Sequence, residues 1–252
     1  MNAVITGASS GIGEECAYIL AQKGYDVYLI ARRKSELLRV AKHIRSLNTV
    51  HVFVIPADIT KKKSYALLEQ QLPKKIDVFI NNAGKGFLGS FTDSTLSSQE
   101  KIVSLNITAF LKLSYLVAQR MRKQSSGFIL HVSSIASFFP GPFMASYYAS
   151  KAFGSSFSDS LREELRGTGV SVTCLCPGPT STGFAQAAHA EGSALFTRSP
   201  LMSPYIVAYA GIRGMFSRRR RVIPGLHNKL SVFFSRFLPH GLLFRIVRRL
   251  NQ

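Results

Sequence analysis

Thr6-Gly7-Ala8-Ser9-Ser10-Gly11-Ile12-Gly13 stands near the start of the chain, between a short apolar run and a helical pattern. The apolar run Ala3–Ile5 predicts a buried strand, and Gly13–Lys23 carries apolar residues at helical spacing. Glycines between a strand and a helix allow a tight turn and let a pyrophosphate approach the backbone. The helix N-terminus presents free N–H groups to such an anion. The stretch therefore predicts a dinucleotide site, with an ordinary strand–helix loop as the alternative.

The strand–helix rhythm of this opening repeats along the chain. Helices are predicted from Ser35, over about 100–123 and over about 144–166. Further short apolar runs predict strands at Val27–Ile30, Val50–Ile55, Ile76–Ile80, Phe128–Val132, Val170–Leu175 and Val222-Ile223. These runs are continuous rather than alternating, which is typical of strands covered by helices on both faces. The pattern predicts an α/β fold: a doubly wound, Rossmann-like parallel sheet of about seven strands with helices on both faces.

Length and composition indicate one globular domain. The 252 residues are 46% apolar and 18% charged, which excludes a disordered, collagen-like or disulfide-stapled chain. No repeat or linker interrupts the pattern before about residue 180. We predict a single domain over residues 1–252, in which residues 183–216 form a substrate lid and residues 226–252 form a basic amphipathic C-terminal extension.

The cysteines and the N-terminus bear on the compartment. The three cysteines are an odd number, and Cys174 and Cys176 lie in an apolar run, which predicts core thiols and a reducing environment. No signal-peptide pattern follows Met1, and no eighteen apolar residues run without interruption. We therefore expect no spanning helix and a cytoplasmic location.

The charge of the chain is strongly positive. Thirty-two Lys and Arg against thirteen Asp and Glu give a net charge of +19, which predicts attraction to a phosphate-bearing cofactor, nucleic acid or an acidic membrane. Eleven of the cations and none of the acids lie within Gly192–Gln252. The run Arg218–Arg221 is interpreted as a solvated loop. With no helix-turn-helix, zinc-finger spacing or aromatic–basic RNA signature, we expect no specific nucleic-acid partner and no metal site.

The first motif, Thr-Gly-x3-Gly-Ile-Gly, resembles that of the short-chain dehydrogenase/reductase family, and the rest of that family's pattern follows in order. The further motifs are Asn81-Asn82-Ala83-Gly84 after the fourth strand, Asn106 in the long helix, Ser134 at the end of the fifth strand, Tyr147-x3-Lys151 thirteen residues later, and Pro177-Gly178-x3-Thr182 after the sixth strand. Each motif is weak alone, but together they are specific and cover residues 1 to about 182.

The resemblance implies hydride transfer between a nicotinamide and a carbonyl or alcohol. Tyr147 and Lys151 are four residues apart, so they share a helix face, although such a pair alone also occurs on surfaces. A nearby ammonium lowers a phenol pKa, which makes Tyr147 the predicted general acid. Ser134 would donate a hydrogen bond to the same substrate oxygen. From the resemblance alone, Lys151 also holds the nicotinamide ribose, and Asn106 anchors a water in a proton relay.

The end of the second strand bears on the choice of cofactor. NAD enzymes of the family carry an acid where this sequence has Ala31, and Arg32-Arg33-Lys34 follow it. A guanidinium matches a phosphate in forked geometry, so we predict NADP, with Arg32 as the main phosphate ligand and Arg33 as the second. A solvated basic helix start is the alternative. The other cofactor contacts that the resemblance implies are Gly7, Ser9, Ser10, Gly11, Ile12, Gly13, Asp58, Ile59, Asn82, Ala83, Gly84, Tyr147, Lys151, Pro177, Gly178, Thr180 and Thr182.

Phenylalanines next to the motifs predict an apolar substrate pocket, formed by Phe87, Phe139 and Phe184, unless these rings only seal a lid or a subunit interface. The predicted function is NADP(H)-dependent reduction of a small hydrophobic ketone or 3-oxoacyl substrate. A non-catalytic nucleotide-binding sensor or membrane scaffold with the same fold is the alternative. The resemblance also implies a homodimer or homotetramer.

Two short amphipathic segments, Lys229–Leu238 and Leu242–Leu250, end the chain. The second has Arg245, Arg248 and Arg249 beside an apolar stripe. Such a segment lies on an anionic bilayer, which would place the protein peripherally at a membrane, or packs on the enzyme body or a second subunit. The sequence leaves these alternatives open.

Overall fold

The computed structural model describes all residues, Met1–Gln252, and contains seven strands and eleven α-helices. The strands are β1 (Asn2–Thr6), β2 (Asp26–Ala31), β3 (Val52–Pro56), β4 (Val78–Asn81), β5 (Gly127–Val132), β6 (Val170–Leu175) and β7 (Arg221–Val222). The α-helices are α1 (Gly11–Gln22), α2 (Lys34–Leu47), α3 (Lys62–Gln71), α4 (Leu96–Val103), α5 (Phe110–Lys123), α6 (Ala145–Glu164), α7 (Phe184–Ala187), α8 (Ala194–Thr197), α9 (Pro204–Phe216), α10 (Leu226–Ser235) and α11 (His240–Leu250). A π-helical segment, Ser104–Ala109, joins α4 to α5, and a 3₁₀ turn, Ile135–Phe138, precedes α6.

The seven strands form one parallel sheet in the order β3-β2-β1-β4-β5-β6-β7. This confirms the predicted doubly wound architecture. The strand order reverses between β1 and β4, so the loops that leave these two strands diverge and open a crevice at the carboxyl edge of the sheet. The glycine-rich stretch after β1 and the Asn82-Ala83-Gly84 stretch after β4 meet at this point.

Successive residues of a strand contribute to two different core layers. Ala3 and Ile5 of β1 pack with α1, α2 and α9, whereas Val4 between them packs with α3 and α5 on the other face. Because both faces are covered, neither can be polar, and this produces the continuous apolar strands of the sequence. All three cysteines are free and buried, as predicted.

The C-terminal third differs from its prediction in two places. Helix α9 lies in the core, where Val207, Ile212 and Met215 pack against the sheet. The predicted lid over residues 183–216 thus includes a helix that covers the sheet, and the lid itself stays a prediction. The basic run is also less free than predicted: Arg220 and Arg221 each lie 2.7 Å from the Asp159 carboxylate on α6.

The continuous helix Leu96–Lys123 is long and apolar enough to cross a membrane, with a mean hydropathy of 1.4, although no spanning helix was expected. Half of its apolar stretch is buried inside the protein, where Leu113, Val117 and Met121 contact the sheet layer. A core helix that packs on a sheet meets the same criteria, so this helix is weak support for a spanning segment.

Candidate active site

The glycine-rich loop lies at the N-terminus of α1. Gly7 and Gly11 have φ values of +66° and +59°, which favour glycine. A Cβ on Gly7 would lie 2.6 Å from Asn82 Nδ2, and that amide donates hydrogen bonds to the Thr6 and Gly7 carbonyls. A Cβ on Gly13 would overlap the Gly7 carbonyl. Gly13 therefore permits close packing behind the loop and does not line the crevice.

Thr6 connects the two loops at the switch point and is not among the predicted site residues. Its hydroxyl oxygen accepts hydrogen bonds from the Asn82 and Ala83 backbone N–H groups, at 2.9 and 3.0 Å. These bonds hold the loop after β4 against the end of β1. The signal was the Thr that precedes Gly7 in the first motif, whose hydroxyl was not assigned a role.

Basic side chains gather at the β2 end of the crevice. Arg33 Nη2 donates to Ser10 Oγ at 3.1 Å and to Ser9 Oγ at 3.3 Å. The second predicted phosphate ligand is thus the one that contacts the glycine-rich loop. The three groups together present hydrogen-bond donors and a positive charge where a phosphate would lie.

Asp58, after β3, lies among further cations. Burial acts to raise the pKa of Asp58, but hydrogen bonds from Thr60 and the positive charge of Arg32 outweigh it and hold the pKa below its usual range. Burial and the charges of Lys101 and Arg32 lower the pKa of Lys85. Lys85 and Lys101 line the same crevice and were not predicted.

Tyr147 and Lys151 come from one face of α6, as their spacing predicted. Lys151 Nζ lies 5.7 Å from the centroid of the Tyr147 ring and donates to the Val132 carbonyl at 3.1 Å. Desolvation in the crevice wall raises the pKa of Tyr147, and the Ser134 hydroxyl opposes part of that rise. The predicted lowering by Lys151 is not found, because desolvation dominates. Burial also disfavours the charged form of Lys151, and because that form is the protonated one, the pKa of Lys151 falls to about 8.

Ser134 is held at the carboxyl end of β5 by two hydrogen bonds. Its hydroxyl accepts from the Ala136 N–H at 3.1 Å and donates to the Pro177 carbonyl at 3.4 Å. The first bond caps the 3₁₀ turn, and the second connects Ser134 to the Pro177-Gly178 loop after β6. Ser134 therefore sits where the loops of β5 and β6 meet, next to Tyr147.

Asn106 is buried behind the crevice wall rather than on it. Its Oδ1 accepts from the Lys85 N–H at 3.0 Å, and its Nδ2 donates to the Lys85 carbonyl and to Ser150 Oγ, both at 2.9 Å. A Cβ on Gly84 would lie 3.3 Å from Lys151 Nζ and 3.5 Å from Asn106 Oδ1. Asn106 thus fixes the Gly84–Lys85 stretch of the loop after β4, next to Lys151.

The π-helical segment explains how Asn106 reaches this position. The extra residue in a π turn shifts the side chains that follow it, and such turns are frequent at functional sites. Asn106 lies within Ser104–Ala109, between two regular helices. Periodicity predicted one unbroken helix here, because a π turn leaves no clear mark in an apolar pattern.

The crevice has a volume of about 950 Å³ and contains every predicted cofactor contact except Gly13. Phe139 and Phe184 line it as predicted, and the Phe184 ring lies 5.2 Å from that of Tyr147. Phe87 does not line it, since its ring packs against Gly89 and His189 instead. The apolar wall also includes residues that were not predicted: Met144, Leu195 and Phe196.

The C-terminal extension forms another wall of the crevice. The lining includes His227, Asn228 and Ser231 from α10 and Val247 and Leu250 from α11. No local motif marks these residues, because their position depends on how the two helices pack on the domain. This packing supports one of the alternatives left open by the sequence, contact with the enzyme body.

The sheet order and the crevice at its switch point place the protein in the class of Rossmann-like nucleotide-binding folds. Residues 1–192 match the family model of the short chain dehydrogenases, and the chain belongs to that family of oxidoreductases. The resemblance seen in the motifs is thereby confirmed.

Known proteins similar to this chain include an enzyme and two solved structures. The 17-beta-hydroxysteroid dehydrogenase type 3 of Rattus norvegicus is 36% identical over 183 residues, which are 71% of this chain but only 60% of that protein. A short-chain dehydrogenase from Sphingobium yanoikuyae in complex with NADPH is 31% identical, with a TM-score of 0.85 over 96% of this chain and 94% of the other. The bulky-bulky ketone specific alcohol dehydrogenase from Comamonas testosteroni is also 31% identical, with a TM-score of 0.80 over 96% and 93% of the two chains.

Proposed function

We propose that the protein is an NADP(H)-dependent oxidoreductase that transfers a hydride between the nicotinamide and a carbonyl or alcohol. The favoured reaction is reduction of a hydrophobic ketone or 3-oxoacyl compound. The observation that carries this proposal is the grouping of Ser134, Tyr147 and Lys151 in one crevice that has cations at one end and Phe184 beside the phenol. The NADPH complex and the ketone specificity in the names of the relatives support the same choice.

The residues at the crevice fit a phosphorylated dinucleotide. The glycine-rich loop brings open backbone N–H groups and the positive end of α1 to the place where a pyrophosphate would lie. No carboxylate stands at Ala31 to repel a 2′-phosphate, and Arg33 is already hydrogen-bonded to Ser9 and Ser10. Arg32 and Arg33 would hold the 2′-phosphate, and Asp58 would contact the adenine.

When bound, NADPH supplies a hydride at the nicotinamide. Tyr147 would give the proton: its raised pKa keeps the phenol protonated at neutral pH, as a general acid for carbonyl reduction requires. The Ser134 hydroxyl would donate a second hydrogen bond to the carbonyl oxygen and orient it. Lys151, with a pKa of about 8, is mostly protonated at neutral pH and would also position the cofactor ribose. Asn106 would keep Gly84 close against Lys151.

The experiment that tests this proposal is a fluorescence titration with NADPH and with NADH. The proteins are the wild type, Arg32→Ala, Arg33→Ala and the matched control Lys34→Ala, whose side chain lies outside the crevice. A hydrogen bond to a charged group contributes about 1.5–3 kcal/mol, so each crevice variant should weaken NADPH binding by roughly 10–100-fold and leave NADH binding unchanged. Lys34→Ala should bind both cofactors like the wild type. Equal binding of NADPH and NADH by the wild type would reject the NADP preference, and binding of neither would reject the enzyme.

We also propose a homo-oligomer, as the family resemblance implies. Large apolar side chains are exposed along the helix Leu96–Lys123, with Val103, Leu111 and Tyr115 each more than 40% exposed. Such a row of exposed apolar side chains is typical of a surface that a second subunit covers.

A further inference from the structure

Helix α10 has a polar and an apolar face, and unlike an ordinary surface helix it exposes the apolar face. Its buried residues are Asn228, Val232 and Ser235, two of which are polar. Its exposed apolar residues recur at spacings of three and four and so share one face, which continues into the following turn. This outer face consists of Leu226 (72% exposed), Leu230 (44%), Phe233 (55%), Phe234 (57%) and Phe237 (71%). A surface helix normally turns such a face toward the core.

The inner side of α10 is fully engaged, so the helix cannot simply rotate to bury its apolar face. Asn228 Nδ2 donates to the Pro224 carbonyl at 2.8 Å, and its side chain packs directly on Gly178. Ser231 and His227 line the crevice. The outer face is therefore a lasting feature of the fold, and three of its rings lie together, with Phe233 5.5 Å from Phe234 and 5.2 Å from Phe237.

Helix α11, which follows α10 along the chain, adds exposed positive charge to the same C-terminal segment. Its inner residues Leu243 and Val247 pack into the protein, whereas Leu242 and Ile246 point outward together with Arg245 and Arg249. The apolar stripe expected from the sequence is thus divided between the core and the surface. No Asp or Glu occurs anywhere from Gly192 to Gln252.

We propose that the outer face of α10, together with the exposed cations of the C-terminal segment, docks on an anionic lipid bilayer. A bilayer surface supplies both an apolar interior for the aromatic rings and negative headgroups for Arg236, Arg245 and Arg249. A second copy of this chain docked through the same face is disfavoured as the occupant, because it would bring two copies of an acid-free, basic segment together. In the docked orientation, α10 lies between the membrane and the crevice.

Vesicle co-sedimentation of the full chain tests this proposal. The vesicles are pure phosphatidylcholine and a mixture with phosphatidylglycerol, each at low and high salt. The wild type should bind the anionic vesicles, more weakly at high salt, and bind neutral vesicles far less. The combined variant Phe233→Ser, Phe234→Ser, Phe237→Ser should weaken binding to anionic vesicles about tenfold or more, since binding scales with inserted apolar area.

Two controls separate the docking surface from general properties of the protein. Leu38→Ser with Leu47→Ser removes exposed apolar groups from α2 and should leave vesicle binding unchanged. Arg236→Gln, Arg245→Gln and Arg249→Gln should weaken binding, whereas the charge-matched Lys42→Gln, Lys62→Gln and Lys63→Gln should not. NADPH titration and circular dichroism of each variant check that it is folded, and they report on the proposed function separately from membrane binding.

Three outcomes would overturn the proposal. The first is absence of wild-type binding to anionic vesicles. The second is equal loss in the charge-matched variants, which would assign the attraction to the total charge of +19. The third is a fall in the molecular mass of the phenylalanine variant in sedimentation equilibrium, which would identify a second copy as the occupant.

Discussion

Helices α2 and α10 both lie on the surface of the same domain, yet they bury opposite faces. Helix α2 buries Leu37, Val40, Ala41 and Ile44 and exposes mainly charged and polar side chains, with two leucines among them. Helix α10 buries Asn228, Val232 and Ser235 and exposes five large apolar side chains on its outer face and the turn after it. Folding alone explains the apolar face of α2, because burial of these four side chains removes apolar surface from water. It does not explain α10, whose exposed apolar face agrees with the proposed contact outside the domain.

The same difference separates the two regions that contain these helices. In residues 1–182, polar groups are brought inward and held by hydrogen bonds, as for Thr6, Asn106 and Lys151. In residues 183–252, α9 lies in the core, but large apolar and basic side chains of α10 and α11 are exposed. Burial of polar groups in the first region lowers the stability of the fold. Exposure of apolar groups in the second region lowers the solubility of the protein. If the two regions act separately, a substitution in one should leave the function of the other unchanged.

Tyr147→Phe should have the largest effect, and it should be confined to the first region. General acid catalysis contributes about 10²–10⁴-fold, so kcat for reduction of a hydrophobic ketone should fall by that factor. NADPH binding should be retained, because the other cofactor contacts remain, and vesicle binding should stay unchanged, because Tyr147 lies in the crevice and not on the outer face of α10. The measurement is NADPH oxidation, with cofactor titration in parallel.

The control is Tyr148→Phe, which removes the neighbouring phenol. That hydroxyl donates to Asn251 and not to the crevice, so kcat should stay within a few-fold of the wild type. Equal losses in both variants would show that the two phenols act on stability and would remove Tyr147 from its proposed role.

Lys151→Met should raise stability while abolishing activity. Burial lowers the pKa of Lys151 from 10.5 to about 8, so below about pH 8 the folded protein holds a proton that burial disfavours. At about 1.4 kcal/mol per pKa unit, this cost is on the order of 3 kcal/mol at pH 7. Above pH 8 the folded state loses the proton first, so the stability of the wild type rises and the gain from methionine shrinks up to about pH 10.5.

Urea unfolding of the protein without cofactor at about pH 7 and about pH 10 measures this effect. The exposed Lys42→Met is the matched control and should not change stability at either pH. If Lys151→Met is less stable than the wild type at pH 7, burial of the Lys151 ammonium does not destabilise the fold.

The sequence predicted the fold and most of the candidate site because those features depend on local order. Gly7, Tyr147 and Lys151 lie within motifs whose spacing fixes their geometry on one loop or one helix turn. The π turn around Asn106, the burial of α9 and the displacement of Phe87 depend on packing between distant segments. The orientation of α10 could not be predicted for the same reason. Its amphipathic pattern was visible, but the pattern does not tell which face meets the protein.

Asn251→Ala should have the smallest effect and tests the connection between the two regions. Asn251 is 2% exposed, donates to the Pro142 carbonyl at 2.8 Å and accepts from the Tyr148 hydroxyl at 3.4 Å. Loss of these bonds leaves buried polar groups unpaired and should lower the free energy of unfolding by about 1–3 kcal/mol, measured in urea. The exposed neighbour Gln252→Ala should change nothing.

Because Asn251 holds the end of α11 but touches no reacting group, kcat should stay within a few-fold of the wild type. A loss as large as that of Tyr147→Phe would mean that the C-terminal region is part of the catalytic machinery and not a separate surface.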